Sequence, residues 1–260
     1  MITAGIDMGT QSVKVVIIED GKVLSQEKAF SGFEPTKAAE QAFEEALKKA
    51  KISSSDIKHI TSTGAGADMA PHSDSTISMV GADARAGAHL SPSVRTVIDV
   101  GAEEARAVRC GEKGTLMNFV VNERCAAGAG TFIEAMARAL EVKLEEMGPL
   151  SLRAEKASQI NATCVIFGES DVVTLIHRQE PKTQIAKAIY DAMAERISSM
   201  VYRLGVNPDV ALVGGVAKDV GFVASLKIKL GMDVLIPENP EFAGALGAAL
   251  VASKRAGGSD

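Results

Sequence analysis

The sequence predicts an α/β protein built from two similar halves. Three observations carry that expectation. The chain is aliphatic and poor in aromatics: 46% of its 260 residues are hydrophobic, only 4% are aromatic, there is no tryptophan, and glycine occurs 24 times. That composition suits Val/Ile strands joined to helices by tight turns. Strand-like and helix-like segments alternate along the chain. Finally, one unit occurs twice, roughly 90 residues apart.

The first copy is "TAGIDMGTQSVKVVIIEDGKVL". A strand ends around Ile6 to Gly9, Gly9-Thr10-Gln11-Ser12 turns tightly, Val13 to Ile18 is a second strand, and Asp20-Gly21 signals a hairpin into a third. The second copy, "TVIDVGAEEARAVRCGEKGTL" from Thr96, repeats the plan: an apolar strand ends in Asp-x-Gly, a short turn follows, then a strand and a glycine hairpin. Between the copies the pattern predicts a helix over Pro35 to Lys51, a strand from His59 and a helix around Ile77 to His89. After the second copy come an amphipathic helix behind Cys125, a helix behind Cys164, and a long helix near Thr183 to Leu204. "DVALVGGVAKDVG" from Asp209 reads as strand, Gly-Gly turn and helix; a strand end at Ile236 and a small-residue helix close the chain. Residues 1–94 with 243–260 are expected to form the first half, and 95–242 the second.

The two turns suggest chemistry. Glycine lets the backbone approach a phosphate, and successive N–H groups form an anion-binding nest. Mg²⁺ keeps most of its hydration shell, so one or two carboxylates, here Asp7 and Asp99, suffice to hold it through water. Gly214-Gly215 opening a helix reads as a third nucleotide turn. Together the three turns describe a nucleotide in a cleft between similar halves, the pattern of the actin, hexokinase and Hsp70 ATPase superfamily, whose halves are ribonuclease H-like.

Other classes are excluded by charge and composition. A net charge of −5 with no Lys/Arg run argues against nucleic acid. No apolar run approaches the roughly 18 residues of a membrane-spanning helix, and the N-terminus enters a strand with no basic leader, so a cytoplasmic protein with no membrane partner is expected. Three cysteines, an odd number, do not make a disulfide framework. Cys125 and Cys164 each precede a predicted helix, whose N-terminal partial charge lowers a thiol pKa. Cys110 lies in a hairpin and reads as packing. An iron–sulfur cluster takes four thiolates, which two chains related by a two-fold axis would supply.

The chain resembles, nearly end to end, the ATPase activators of 2-hydroxyacyl-CoA dehydratases and the ATPase subunits of ATP-dependent benzoyl-CoA reductase. "GIDMGTQSVK", "DVGAEEARAV", "NERCAAGAGTF", "CVIFGESDVV", "LVGGVAKDVG" and "GALGAAL" carry the resemblance. It implies one [4Fe–4S] cluster shared between two subunits, with Cys125 and Cys164 as each chain's ligands. It also implies ATP or ADP with Mg²⁺ at Asp7 and Asp99. Gly9, Thr10, Gln11, Ser12, Lys14, Gly101 and Ala102 would serve the phosphates; Gly214, Gly215, Ala217, Lys218 and Gly244 complete the nucleotide site.

One turn departs from the family. The homodimeric activators carry Gly-Gly-Gln-Asp where this chain has Gly101-Ala102-Glu103-Glu104, which looks more like the paired, non-identical reductase subunits. Glu103 or Glu104 is then the candidate for positioning the hydrolytic water. The implied function is ATP-driven injection of a low-potential electron, taken from ferredoxin or flavodoxin, into a CoA-thioester dehydratase or reductase. The expected partners are a second copy or a paralogous subunit, the electron donor and that downstream enzyme. A small-molecule kinase, or an ATP-binding regulatory subunit without turnover, is the alternative on the same fold.

Overall fold

The computed structural model describes residues 1–122, 130–160 and 165–257. The chain divides into two compact units: Met1–Val97, Val108–Asn118 and Glu241–Asp260 form one, Ile98–Ala107 and Phe119–Pro240 the other.

The first unit is built on a five-stranded sheet. Strands β1 (Ile2–Met8), β2 (Ser12–Glu19), β3 (Lys22–Phe30), β4 (Ile57–Thr63) and β5 (Ser75–Thr76) lie in the order β3-β2-β1-β4-β5. The β1–β2 and β2–β3 pairs are antiparallel, while β1–β4 and β4–β5 are parallel. Helix α1 (Pro35–Ala50) starts on a proline, whose fixed φ and missing N–H suit a first helical position. Its buried face, Ala38, Ala39, Ala42, Phe43 and Ala46, follows the helical period and packs with Ile6, Val15 and Ile17 of the sheet.

Helices α2 (Met79–Leu90) and α8 (Ala243–Arg255) also belong to this unit. The α2 start differs from the expected Ile77 because the Ser78 hydroxyl accepts the Gly81 N–H and caps the helix there. The small residues of α8 allow close backbone approach. A Cβ on Gly5 would sit 2.0 Å from the Ala245 carbonyl oxygen, and one on Gly247 would sit 2.0 Å from that of Ala82. The Thr3 hydroxyl donates to the Ala249 carbonyl across the same contact, 3.1 Å.

The second sheet repeats this order. Strands β6 (Thr96–Val100), β7 (Ala105–Cys110), β8 (Leu116–Asn122) and β9 (Val210–Val213) lie as β8-β7-β6-β9, matching β3-β2-β1-β4. Helices α3 (Gly130–Ala139), α4 (Leu144–Ser151), α5 (Val165–His177), α6 (Lys182–Leu204) and α7 (Val220–Leu230) lie in the second unit, with Ile98–Ala107, Phe119–Asn122 and β9 of this sheet. Its core gathers Ile98, Phe132, Met136, Ile189, Met193, Ile197, Leu212 and Phe222. The sequence pattern does not predict α4, because Gly148-Pro149 reads as a breaker yet sits inside that helix. The strand expected to end at Ile236 is reduced to a single parallel bridge between Ala211 and Leu235.

One buried pair ties α6 to α7. The Tyr190 hydroxyl donates to Asp219 Oδ2 at 2.5 Å, and Asp219 Oδ1 accepts the Gly221 and Phe222 N–H groups as the α7 cap. Burial first, and then the Asp219 charge, push the Tyr190 phenol above its ordinary value of about 10. The unfolded chain therefore releases this proton at a pH where the folded chain keeps it. Stability is expected to fall as pH rises above about 10, and the contribution is fully present below that. Tyr190→Phe should flatten this alkaline loss in urea midpoints measured from about pH 9 to about pH 11.

Candidate functional site

Asp7 stands near the end of β1, opposite Lys14 of β2 in the antiparallel register. Lys14 Nζ lies 3.3 Å from Asp7 Oδ2, with both side chains mostly covered. The intervening Gly9–Ser12 turn is tied to the end of β3. The Ser31 N–H donates to the Gln11 carbonyl at 3.0 Å, and its hydroxyl donates to the Gly9 carbonyl at 2.8 Å. Gly9 has no room for a side chain: its Cβ would meet the Ser12 carbonyl oxygen at 2.7 Å and Lys14 Nζ at 3.1 Å. Gly244 at the start of α8 faces the Asp7 carboxylate from a further side, its notional Cβ 3.5 Å from Asp7 Cγ.

The second unit repeats the device with a stronger cation. Asp99 near the end of β6 is bound by Arg106 of β7, and the same guanidinium holds Glu104 at 2.7 Å. Asp7 to Lys14 and Asp99 to Arg106 are both seven residues apart. The turn closes on itself through Gly101 N–H donating to the Glu104 carbonyl, 2.9 Å. The first residues of α3 seal it: the Gly130 and Thr131 N–H groups donate to the Gly101 and Ala102 carbonyls at 2.9 and 2.8 Å.

A glycine covers each carboxylate from the neighbouring strand. Gly64 follows β4 with φ +94°, and a Cβ there would lie 2.6 Å from Asp7 Oδ1. Gly214 follows β9 with φ +88°, and a Cβ would lie 2.3 Å from Asp99 Oδ1. Only glycine tolerates both that conformation and that approach.

Within the first unit the structure thus gathers Asp7, Gly9, Lys14 and Gly244, with Thr10, Gln11 and Ser12 forming the turn. Within the second it gathers Asp99, Gly101, Ala102, Glu104 and Gly214. Glu103 points to solvent, so Glu104 is the turn's carboxylate beside Asp99. Gly215 and Lys218 are exposed, while Ala217 is buried. The expectation that Gly214-Gly215 opens a helix is corrected. Those residues lead into a single 3₁₀ turn, Gly215–Lys218, and α7 begins only at Val220 with its first N–H groups already taken by Asp219.

The sequence pattern does not single out Gly64 or Arg106. Aligning the two copies would have found Arg106 by its spacing, and Thr63-Gly64 against Val213-Gly214 by the glycine that follows each strand. The metal-ligand candidates Cys125 and Cys164 lie outside the described residues. Among the described residues no group of three or more His, Cys, Asp or Glu side chains could hold a metal ion, and no helix is long and apolar enough to cross a membrane. Cys110 is buried, its Sγ 3.6 Å from the Val94 carbonyl, and burial pushes its thiol pKa up.

The chain as a whole is matched by known proteins. The BadF/BadG/BcrA/BcrD ATPase family matches residues 4–252. The chain belongs to that family. It is 36% identical over 256 residues to the activator of lactoyl-CoA dehydratase of Anaerotignum propionicum, covering 98% of this chain and 99% of that protein. Identity to a benzoyl-CoA reductase subunit of Thauera aromatica is 34% over 260 residues, covering 96% of this chain and 92% of that one. Among solved structures, the activator of the 2-hydroxyisocaproyl-CoA dehydratase from Clostridium difficile with bound ADPNP superposes with a TM-score of 0.91 at 34% identity, over 98% of this chain and 96% of that one. A ROK hexokinase from Thermus thermophilus, 14% identical over 98% of this chain and 99% of that one, shares the fold alone with a TM-score of 0.55. The fold is therefore the actin/hexokinase-like one expected from the repeat, and the chain is an ATPase.

Proposed function

We propose that this ATPase is an electron injector: a subunit that couples ATP hydrolysis to passing one low-potential electron into a CoA-thioester dehydratase or a reductase of the benzoyl-CoA type. The observation that carries the nucleotide half is the twice-built carboxylate turn, each copy with a basic partner seven residues on and a positive-φ glycine against the acid. The residues fit a hydrated Mg²⁺ and a phosphate chain. Bare backbone at Gly64 and Gly214 lies directly against Asp7 Oδ1 and Asp99 Oδ1, so no side chain intrudes beside either acid. ADPNP bound to the Clostridium difficile activator supports the same ligand class here.

Each residue has a role in this reading. Asp7 in the first unit and Asp99 in the second are each suited to hold the hydrated Mg²⁺ of ATP through water, a ligation that would need only one or two carboxylates. The Gly9–Ser12 backbone, and in the second turn the Ala102 N–H, would receive phosphate oxygens, with Lys14 as the nearby cation. Glu104, fixed by Arg106, orients the attacking water. Gly214, Gly215, Ala217 and Lys218 border the adenosine.

The redox half assigns Cys125 and Cys164 to a [4Fe–4S] cluster shared with a second copy or a paralogue, its electron coming from ferredoxin or flavodoxin. The cluster supplies one-electron storage at low potential. The helices that follow the two cysteines support this pairing: a Cβ on Gly168, in the first turn of α5, would lie 3.1 Å from the Phe132 ring in the first turn of α3. Driving one electron uphill by roughly 300 mV costs about 7 kcal/mol, which is why ATP is coupled to the transfer.

Anaerobic purification tests both halves. The expected result is a coloured protein whose visible absorption bleaches on reduction and whose ATP turnover accompanies electron transfer to an acceptor. Colourless, iron-free protein that phosphorylates a small molecule, or that binds ATP without turnover, would overturn the reading.

A further inference from the structure

β4 ends on Thr61-Ser62-Thr63, three consecutive hydroxyl residues that are all buried. Two of the hydroxyls are in use: Thr61 Oγ1 shares a hydrogen bond with Ser75 Oγ at 3.1 Å, and Ser62 Oγ donates to the Ala67 carbonyl at 2.9 Å. Thr63 Oγ1 has no hydrogen-bond partner among the described residues, although the residue is only 1% exposed. Burying an unpaired hydroxyl is unfavourable, so such a group calls for an explanation.

Its position supplies one. Thr63 stands in register with Asp7 across the parallel β1–β4 pair, as Thr61 does with Gly5. Residues paired in this way project from the same face of a sheet. That face carries Thr3, Gly5 and Asp7 towards α8. The next residue, Gly64, packs its bare backbone directly against Asp7 Oδ1, which lies 2.6 Å from where a Cβ would stand. The corresponding residue of the second unit, just before Gly214, is Val213, fully buried and almost the same shape as threonine without the hydroxyl. The fold therefore accepts valine at such a position, and only the first copy carries an oxygen there.

We propose that the Thr63 hydroxyl is a positioning group for the first acidic turn: it accepts a hydrogen bond from a water molecule in the shell of the nucleotide's Mg²⁺, beside Asp7. The inference rests on the nucleotide reading above and adds a residue to it. Thr63 acts on the hydrated ion rather than on the fold, and the two functions separate experimentally.

The experiment measures ADP binding by calorimetry with Mg²⁺ and with a chelator in its place, together with the melting temperature of the protein alone. Thr63→Val should melt at or above the wild-type temperature, since it removes an unpaired buried oxygen. Its ADP affinity without Mg²⁺ should be unchanged, and its affinity with Mg²⁺ should fall about tenfold. Thr63→Ser should restore the Mg²⁺ dependence, and Thr63→Ala makes the same comparison should the valine variant fail to fold. Equal Mg²⁺ dependence in wild type and hydroxyl-free variants would overturn the proposal, as would an equal loss of affinity with and without Mg²⁺. A wild-type protein that binds no ADP under either condition would instead sink the nucleotide reading itself.

Discussion

Cys125→Ser is expected to leave the protein without iron, Cys164→Ser to do the same, and Cys110→Ser to retain the full complement. The size of the effect follows from ligand arithmetic. A [4Fe–4S] cluster takes four thiolates, so each cysteine removed from the sequence costs a cluster shared with a paralogue one ligand and a cluster shared by two copies of this chain two. Serine keeps the volume and offers a far poorer ligand for iron. Cys110 cannot take over. It is packed within the first unit against the Val94 carbonyl, and burial disfavours its thiolate. Iron and sulfide per chain, assayed on anaerobically purified variants, read the result directly. Unchanged circular dichroism in the cysteine variants would show that the loss is of ligands and not of fold. Full cluster content in the Cys125 variant would end the assignment.

Much of the fold is legible because its signals are local. An apolar run ending in Asp-x-Gly, followed by a short turn and another β-branched run, specifies a hairpin without reference to anything distant, and it occurs twice. The helices at Pro35 and Lys182 are likewise written in their own period. What stayed hidden depends on neighbours far away in sequence. Gly64 has no local turn signature beyond its glycine, and its reason lies in Asp7, on another strand. Thr63 looks like an ordinary β-branched residue until its hydroxyl is seen to be unpaired. Glycine stands at 148 in helix α4 because a Cβ there would meet Asp219 Oδ1 at 2.8 Å, a contact from far along the sequence. The Gly214-Gly215 pair misled in the other direction. It resembles a helix start, but the cap residue that starts the helix is Asp219.

Asp7→Asn is expected to reduce ATP turnover by about a hundredfold or more while leaving the fold intact. The two acids are not equivalent, and the difference selects Asp7. Asp99 is gripped by a guanidinium whose planar fork also spans Glu104, an arrangement with built-in geometry. Asp7 has one ammonium at 3.3 Å, a point charge on a flexible stem, and its side chain is 17% exposed against 9% for Asp99. Its carboxylate can therefore turn from Lys14 to a hydrated cation with little rearrangement, whereas Asp99 must first leave Arg106. Asparagine keeps the shape and a carbonyl acceptor for Lys14 but removes the negative charge that holds Mg²⁺. Alanine removes both, and it leaves a mostly covered ammonium without its counter-ion, so Asp7→Ala should lose turnover and also melt at a lower temperature. Comparing the two variants separates charge from packing. Turnover, its Mg²⁺ dependence and the melting temperature are the quantities to measure. An asparagine variant that hydrolyses ATP at the wild-type rate would remove Asp7 from the site, and with it the reason for Gly64 and Lys14 to be gathered around that carboxylate.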